Sequence, residues 1–450
     1  MTRELSKNHK GLHNYLLLFF SMLLFKIACD LGYCKLLILD TATYKYDVNL
    51  IKYVNSMFWC IILFLGIRHD KRKVSTFMLY LVYLTQIIPI STIYAFSNGS
   101  AEYYNILCIS FAFCELYISL MKRDFVDIKR NPIVSFAMTV IFYLVTIFLL
   151  VYIYRANGAP SLIALDIYDV YELRSSGLFY VSKYMSYVLR WVVASILPFL
   201  IAQKICDKKY FTVALLIVII FIVYLYSGQK SYLFSIPLIC ICSLWARRKN
   251  FYYEIFTVGS ISFFILVLLA CYSMFYRDFF IKVYSLLGRR ILMVSANNKF
   301  AYYDFFSNNP KMGFGGIIPR WLINIPNYYE NIDYTHIISK IYYGKPEMSS
   351  NTGFLAEGFM RFGHLGTVFI LFLFSMILKL MDKLQNKAGY TLVVGAFVYS
   401  VLALTDTYLL ESLIFGTWMI PLIILLVYIP VKNKTYSKFL KRSKLVWRRK

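Results

Sequence analysis

The chain contains repeated apolar runs, each about as long as a helix that crosses a bilayer. Spanning about 30 Å of hydrocarbon takes roughly twenty helical residues. Such runs recur from residue 16 to residue 429 of a 450-residue chain that is 60% hydrophobic and only 16% charged. A soluble core could not bury that much apolar surface. The sequence therefore predicts an all-α polytopic membrane protein, in which residues 1–450 form a single transmembrane domain.

The runs predict about twelve transmembrane helices. Each run is roughly one bilayer thickness long when it is helical. They lie near residues 14–37, 50–67, 74–96, 103–121, 132–154, 179–202, 210–226, 231–246, 254–275, 363–381, 389–408 and 411–430.

Lys and Arg collect in alternate connections between the runs, which predicts the orientation of the chain. Connections rich in Lys and Arg stay in the cytoplasm. This rule accounts for the net charge of +25 without a nucleic-acid partner, and it places both termini in the cytoplasm. Two longer connections then fall on the outer, periplasmic side: a medium loop at 155–178 and a large loop at 276–362, between helices 9 and 10.

The large loop has the composition of a folded, anion-binding segment. Its apolar stretches at 279–287, 290–294 and 300–306 predict short amphipathic helices at the outer membrane surface. It carries ten Lys and Arg against six Asp and Glu. Because a guanidinium fork matches phosphate oxygens, a lipid-linked pyrophosphate is a natural ligand for the loop arginines. The alternative is pairing with lipid headgroups or with loop carboxylates. The candidate ligands are Arg277, Arg289, Arg290 and Arg361.

The end of the large loop holds a second candidate, in the sequence E-G-F-M-R-F-G-H-L-G at 357–366. Glu357 and Arg361 are four residues apart, which is the spacing of an ion pair on a helix. Alternatively, Arg361 binds phosphate and Glu357 orients it or acts as a general base toward a sugar hydroxyl. His364 is a possible base or a structural side chain.

Three positions in or beside the apolar runs add polar groups. The S-G-Q-K-S sequence at 227–231 predicts a tight turn, in which Lys230 either holds a phosphate or extends its amine to the membrane surface. Lys26 and Asp30, four apart, are expected to neutralise each other. Arg190 has no partner close in sequence, so it either faces a cavity as a functional residue or pairs with an acid such as Glu115.

The sequence predicts neither a metal site nor a cofactor. No DxD motif occurs, and the nine cysteines show no CxxC pair and no histidines at metal-ligand spacing. The glycine cluster at 313–316 lacks the strand, helix and acidic residue of a dinucleotide site, so it is predicted to be a turn.

These features together resemble the Wzy-type O-antigen polymerase family. The resemblance rests on the architecture of the whole chain and on three stretches: S-G-Q-K-S at 227–231, L-G-R-R-I at 287–291 and E-G-F-M-R-F-G-H-L-G at 357–366. An R-x10-G pattern of some members fits Arg277 and Gly288, but the medium loop has none.

The resemblance implies a GT-C-like, metal-independent glycosyltransferase in the bacterial inner membrane. It would join undecaprenyl-pyrophosphate-linked oligosaccharide repeat units at the periplasmic face into long-chain O-antigen or a related polysaccharide, with a chain-length regulator as a possible partner. Glu357, Arg361 and Arg290 would be catalytic, and Arg277, Arg289, Lys230 and Arg190 would bind pyrophosphate. Two alternatives stay open: an O-antigen ligase, and a lipid-linked repeat-unit flippase or another transporter.

Overall fold

The computed structural model describes most of the chain, and that part is nearly all helical, with no β-strand. The described residues are 2–38, 40, 43–68, 72–120, 132–160, 179–273, 279–318, 323–325, 328–329, 332–414 and 416–427. The predicted ligand Arg277 and most of the medium loop lie outside these ranges.

Sixteen helices are numbered here in chain order. Three contain or continue into a π-helical turn: α1 at Tyr33–Leu37, α3 at Tyr83–Ile87 and α6 at Val192–Ile196. A longer π-helical stretch, Ser285–Val294, joins α10 to α11. The helices are α1 (Thr2–Gly32), α2 (Leu50–Gly66), α3 (Val74–Phe96), α4 (Ala101–Leu120), α5 (Pro132–Asn157), α6 (Lys183–Cys206), α7 (Tyr210–Ser227), α8 (Lys230–Trp245), α9 (Phe251–Ser273), α10 (Phe279–Tyr284), α11 (Ser295–Asn308), α12 (Tyr334–Tyr343), α13 (Phe354–Ala388), α14 (Tyr390–Ala403), α15 (Leu409–Ile414) and α16 (Met419–Val427).

Within the described residues, eight helices are long and apolar enough to cross a membrane, which confirms a multi-pass membrane protein. Helices α2, α8 and α14 coincide with predicted runs but are shorter. The last predicted run, 411–430, differs from the structure, because it is divided between α15 and α16. The count of twelve spans stays a prediction.

The apolar helices differ sharply in how far the protein itself covers them. In α3, 89% of the most apolar 18-residue stretch is buried inside the protein, whereas in α5 only 22% of the corresponding stretch is buried. Leu144, Ile147 and Phe148 of α5 are each more than half exposed. Such a continuous apolar surface is stable only in an apolar solvent. Thus α5 has the surface of a lipid-facing helix, and α3 that of a helix inside a bundle.

One compact unit comprises Met1–Lys122, Arg248–Lys379 and Val401–Glu411. Within it, α1 packs along α9, with the rings of Phe25 and Phe263 4.9 Å apart. The expected pair is present: Lys26 Nζ lies 2.6 Å from Asp30 Oδ1, and both side chains are buried. The hydroxyl of Thr92 in α3 donates to the same carboxylate oxygen at 2.7 Å. This polar contact fixes α1 against α3.

The second compact unit comprises Arg123–Arg247, Leu380–Ser400 and Ser412–Lys450. Its helices approach closely where small residues meet: a Cβ on Gly395 of α14 would collide with the side chains of Ser243 and Ala202. The indole of Trp418 donates to the Ser400 carbonyl at 3.1 Å, and the Ser195 hydroxyl donates to the Thr417 carbonyl at 2.9 Å. Both bonds tie the segment before α16 to its neighbours.

The predicted large loop is more ordered and more buried than short surface helices would be. Residues 279–308 are helical throughout, as α10, the π-helical stretch and α11. Eight residues of α11 are buried, including Lys299, Tyr302 and Phe306. The predicted helical state of 279–308 is therefore confirmed, and α11 packs against protein; the location of this segment at the outer membrane surface stays a prediction. A pattern of apolar residues does not show whether a helix faces lipid headgroups or other helices.

Replacing Asp30 by Asn should strongly destabilise the protein, because it leaves the Lys26 ammonium buried without a counter-charge. We expect a loss of about 3–5 kcal/mol in the free energy of unfolding, largely recovered in Lys26→Met/Asp30→Leu. Unfolding in detergent measures both, with Asp47→Asn at an exposed carboxylate as the control. Equal stability of Asp30→Asn and Asp47→Asn would contradict this account.

Candidate active site around a broken helix

A break in α13 organises the candidate site. The backbone leaves helical geometry at Phe362 (φ −136°, ψ 15°) and Gly363 (φ 69°, ψ −152°). Only glycine adopts the second conformation without large strain. The break coincides with the predicted boundary between the large loop, ending at 362, and the tenth span, beginning at 363, although that boundary stays a prediction. The preceding segment, 354–361, is a short helix whose residues are all buried.

Two glycines allow the chain to fold tightly around this break. A Cβ on Gly358 would collide with the carbonyl oxygen of Gly366, and a Cβ on Gly366 would collide with that of Gly358. Gly353, just before the helix, is equally close to the carbonyls of Leu404 and Thr405. The small residues of this stretch therefore allow close backbone approach, as the sequence predicts.

Glu357 and Arg361 form an ion pair inside the protein. Arg361 Nε donates to Glu357 Oε1 at 3.0 Å, and the two side chains are 2% and 0% exposed. The other carboxylate oxygen of Glu357 accepts the backbone N–H groups of Leu409 at 2.6 Å and Leu410 at 3.3 Å. Because these amides begin α15, the carboxylate fixes the start of that helix against the broken one.

Arg361 also binds the glycine cluster, which forms the predicted turn. One of its terminal nitrogens donates to the carbonyls of Gly313 at 3.1 Å and Gly315 at 2.8 Å. In return, the N–H groups of Met312 and Gly313 donate to the carbonyls of Met360 and Arg361, both at 3.1 Å. The guanidinium thus links the broken helix to the 312–316 turn, a contact that sequence reasoning missed.

In this geometry, Glu357 and Arg361 are surrounded by protein groups. Of the two interpretations of the four-residue spacing, the structure contains the ion pair, although it is buried rather than on a helix surface. The carboxylate accepts three donors and the guanidinium makes three bonds to protein acceptors. The catalytic roles of both residues stay predictions.

A second polar cluster surrounds the turn after α14. Lys299 of α11 is fully buried, and its amine donates to the Ser295 hydroxyl at 2.7 Å and to the carbonyls of Ser295 and Thr405 at 3.2 and 3.4 Å. The Ser295 hydroxyl itself donates to the Thr405 carbonyl at 2.6 Å. These bonds hold the backbone immediately before Asp406.

Asp406 brings this cluster to the protein surface. Its carboxylate is an electrostatic neighbour of both Lys299 and Arg290 and interacts with the Ser295 hydroxyl, so protein groups surround it closely, although the residues Asp406 and Arg290 both have exposed surface. Sequence reasoning did not single out Asp406 or Lys299. One signal was present, because Asp406 is the single acidic residue between positions 383 and 410. Of the predicted residues, Arg290 is the one that the structure places in an exposed, mixed-charge cluster.

The other predicted ligands fall in different surroundings. Arg289 is half-buried and lies near Tyr44. In the second unit, exposed Arg190 lies near Tyr399, which also contacts Ser231. Lys230 is the half-buried first residue of α8, after a tight turn in which Gly228 takes φ 59°. Arg190 and Lys230 therefore lie in one neighbourhood around Tyr399.

Comparison with known proteins identifies no matching family model, no matching curated protein and no matching solved structure.

Burial lowers the pKa of Lys299 to about 7, although the Asp406 carboxylate opposes that shift. In the unfolded chain the amine keeps its ordinary pKa near 10.5, so between pH 7 and 10 the unfolded state binds more protons. The wild-type protein should therefore become more stable as the pH rises from 7 towards 10. Unfolding in detergent across this range should show a rise that Lys299→Met lacks; equal slopes for both proteins would contradict it.

Replacing Arg361 by Met should destabilise the fold, because the Glu357 carboxylate then stays buried without its counter-charge. We expect a loss of about 3–5 kcal/mol in the free energy of unfolding. Adding Glu357→Gln should recover part of it, since a neutral amide oxygen still accepts the amides of α15. Unfolding in detergent measures both variants, and an Arg361→Met protein as stable as wild type would rule out the architectural role of this pair.

Proposed function

We propose that this chain is a multi-pass glycosyltransferase that joins oligosaccharide repeat units carried on undecaprenyl pyrophosphate. The reaction takes place at the periplasmic face of the bacterial inner membrane, within a fold of about twelve spans with both termini in the cytoplasm. The product is long-chain O-antigen or a related surface polysaccharide. The resemblance to the Wzy-type polymerases motivates this proposal, and one cluster of residues supports it.

That cluster is the exposed Arg290 beside Asp406, with Lys299 buried behind them. Arg290 and Lys299 belong to the predicted outer loop, and Asp406 follows α14 near the predicted outer end of its span. An exposed guanidinium can bind a pyrophosphate and stabilise the negative charge that develops as it leaves. The nearby carboxylate can accept a proton. The cluster therefore combines the two functions that glycosyl transfer needs.

In the proposed reaction, a hydroxyl of one repeat unit attacks the anomeric carbon of the glycan on another carrier. The bond between that carbon and the pyrophosphate oxygen breaks, its electron pair leaves with undecaprenyl pyrophosphate, and the hydroxyl proton passes to a carboxylate. We assign this carboxylate to Asp406 rather than to Glu357, because residue Asp406 has exposed surface and lies beside Arg290, whereas Glu357 is fully buried under three donors. Arg290 supplies the positive charge.

Glu357 and Arg361 then act as positioning residues. Glu357 binds the amides of Leu409 and Leu410, three and four residues after Asp406. Ser295 and Lys299 bind the carbonyl of Thr405, immediately before it. The turn that carries Asp406 is thus held on both sides by buried groups, which limits the positions that the carboxylate can take.

A transporter remains the second candidate, because one observation favours it. Transporters carry ionisable residues inside the helical bundle, and Lys26, Asp30 and Glu115 are all buried within predicted spans. Loss of a flippase would remove the surface glycan altogether, whereas loss of a polymerase would leave caps of one repeat unit. Loss of an O-antigen ligase would remove every cap, and this result also distinguishes a ligase from a polymerase.

Deletion of this chain should collapse the long-chain glycan ladder to a single repeat unit on electrophoresis of the surface glycan. Wild-type protein should restore the ladder, and Arg290→Ala and Asp406→Asn should not, because they remove the exposed cation and the proton acceptor. Lys340→Ala, at another exposed cation of the large loop, is the matched control and should restore it.

Two results would overturn the proposed function. An intact ladder in the deletion strain excludes polymerisation by this chain. A ladder restored fully by Arg290→Ala and by Asp406→Asn excludes this cluster as the site. Each variant must reach the membrane at the wild-type level, which immunoblotting of membrane fractions measures. Arg290 and Asp406 suit this test better than Arg361, whose burial predicts a folding defect.

A further inference from the structure

A carboxylate, an imidazole and a phenol from three distant parts of the first unit meet at its surface. Nε2 of His364 lies 3.0 Å from Oε1 of Glu102, and the hydroxyl of Tyr303 donates to Oε2 of Glu102 at 2.9 Å. Glu102 lies in the first turn of α4, Tyr303 in α11, and His364 in α13 immediately after the break. The carboxylate is 63% exposed and the imidazole 38%.

Buried aromatic side chains fix the positions of these three groups. The ring of Tyr103, next to Glu102, stacks 4.9 Å from the ring of Tyr303. The ring of Phe359 lies 4.5 Å from Tyr303 and 5.0 Å from His364. The Tyr103 hydroxyl donates to the Leu355 carbonyl at 3.3 Å, which ties α4 to the broken helix. The cluster is therefore rigid for an exposed polar group, and rigidity reduces the cost of binding a ligand.

The groups next to this cluster suit a sugar ring. Oε2 of Glu102 accepts the Tyr303 hydroxyl and Oε1 lies 3.0 Å from the His364 imidazole, and each oxygen can accept a further hydrogen bond from solvent or from a ligand hydroxyl. Phe314 is 63% exposed, with its ring 4.9 Å from that of Phe362, two residues before His364. Lys311, also exposed, lies near Gly363 with its amine 3.9 Å from the centre of the Phe359 ring. Exposed aromatic carbon beside a carboxylate and a cation matches a ligand with apolar C–H faces and several hydroxyls.

We infer that Glu102, Tyr303 and His364 form a glycan-binding subsite, which holds a sugar of the lipid-linked oligosaccharide through its hydroxyls. The inference rests on the proposed function for the identity of the glycan. Glu102 accepts hydrogen bonds from the sugar, and Tyr303 and His364 position the carboxylate.

The subsite is distinct from the Asp406 cluster. The Leu355 carbonyl accepts the Tyr103 hydroxyl, and the Phe359 ring contacts the Tyr303 ring. In contrast, the Glu357 side chain binds α15, and the Arg361 side chain binds the 312–316 turn. Phe359 and Glu357 are two residues apart, so their side chains leave the helix roughly 200° apart. The two clusters therefore lie on opposite faces of one short helix, and an extended oligosaccharide, rather than a single sugar, is the ligand that reaches from one to the other.

The test is equilibrium binding by the full chain in nanodiscs, measured by titration calorimetry. The probe is the repeat-unit oligosaccharide released by mild acid from the lipid-linked intermediates of the same cells. Glu102→Gln should bind it about tenfold more weakly than wild type, because hydrogen bonds to a charged acceptor are lost. Tyr303→Phe should show a smaller loss in the same direction.

Asp304→Asn is the matched control. Asp304 is an exposed carboxylate next to Tyr303 that accepts a tyrosine hydroxyl, that of Tyr342 at 2.6 Å, yet it lies outside the subsite. This variant should bind like wild type. If Glu102→Gln does not fold, the test uses Tyr303→Phe alone, which removes a single hydroxyl.

The subsite is overturned if the wild-type protein does not bind the oligosaccharide, or if Glu102→Gln and Tyr303→Phe both bind it as wild type does. This failure is separable from failure of the proposed function. If the ladder collapses in the deletion strain but these variants bind the oligosaccharide normally, the transferase function is supported and the subsite is excluded. If the ladder is intact but the variants bind more weakly, the subsite is supported and the polymerase function is excluded.

Discussion

The buried ion pair of Glu357 and Arg361 holds together the parts of the first unit on which both candidate sites depend. Neither charge is exposed by more than 2%, so each relies on the other and on backbone groups for the stabilisation that water would otherwise supply. Those backbone groups come from α15 on one side and from the 312–316 turn on the other. A contact that costs so much to break fixes three segments from distant parts of the chain in one arrangement.

In this arrangement, the charged groups that stabilise the fold are different from those that can take part in a reaction. The groups under Asp406, namely Ser295, Lys299 and the α15 amides with Glu357, are buried and bonded to the backbone. Arg290 and Asp406 are residues with exposed surface. A rigid buried layer beneath exposed functional groups is what positions a reactive side chain accurately. Hence the residues most conspicuous in the sequence, Glu357 and Arg361, are assigned to support, and a residue that drew no attention, Asp406, to chemistry.

Local patterns were enough to predict much of this fold. Apolar runs located the helices, a four-residue spacing identified the pairs Lys26–Asp30 and Glu357–Arg361, and the glycines at 313–316 indicated a turn. Burial and partners across the chain were not predictable in this way. Nothing local shows that Arg361 bonds to Gly313 and Gly315, 48 and 46 residues earlier, or that Glu102 meets His364. The amphipathic pattern at 279–308 likewise predicted that these residues are helical, but it did not show which neighbours bury them.

The break at Gly363 explains why one short helix can serve two clusters. Had α13 continued straight, His364 would follow the helical path three residues after Arg361, on a neighbouring part of the same face. The non-helical backbone at Phe362 and the positive φ at Gly363 redirect the chain instead, so His364 reaches Glu102 while Arg361 stays with the 312–316 turn. Any shift of the 354–361 segment then acts on both faces at once. Under the proposed function, a glycan bound on the Glu102 side would therefore act on the position of Asp406 through this single helical segment, which would let the enzyme align the acceptor before the pyrophosphate leaves.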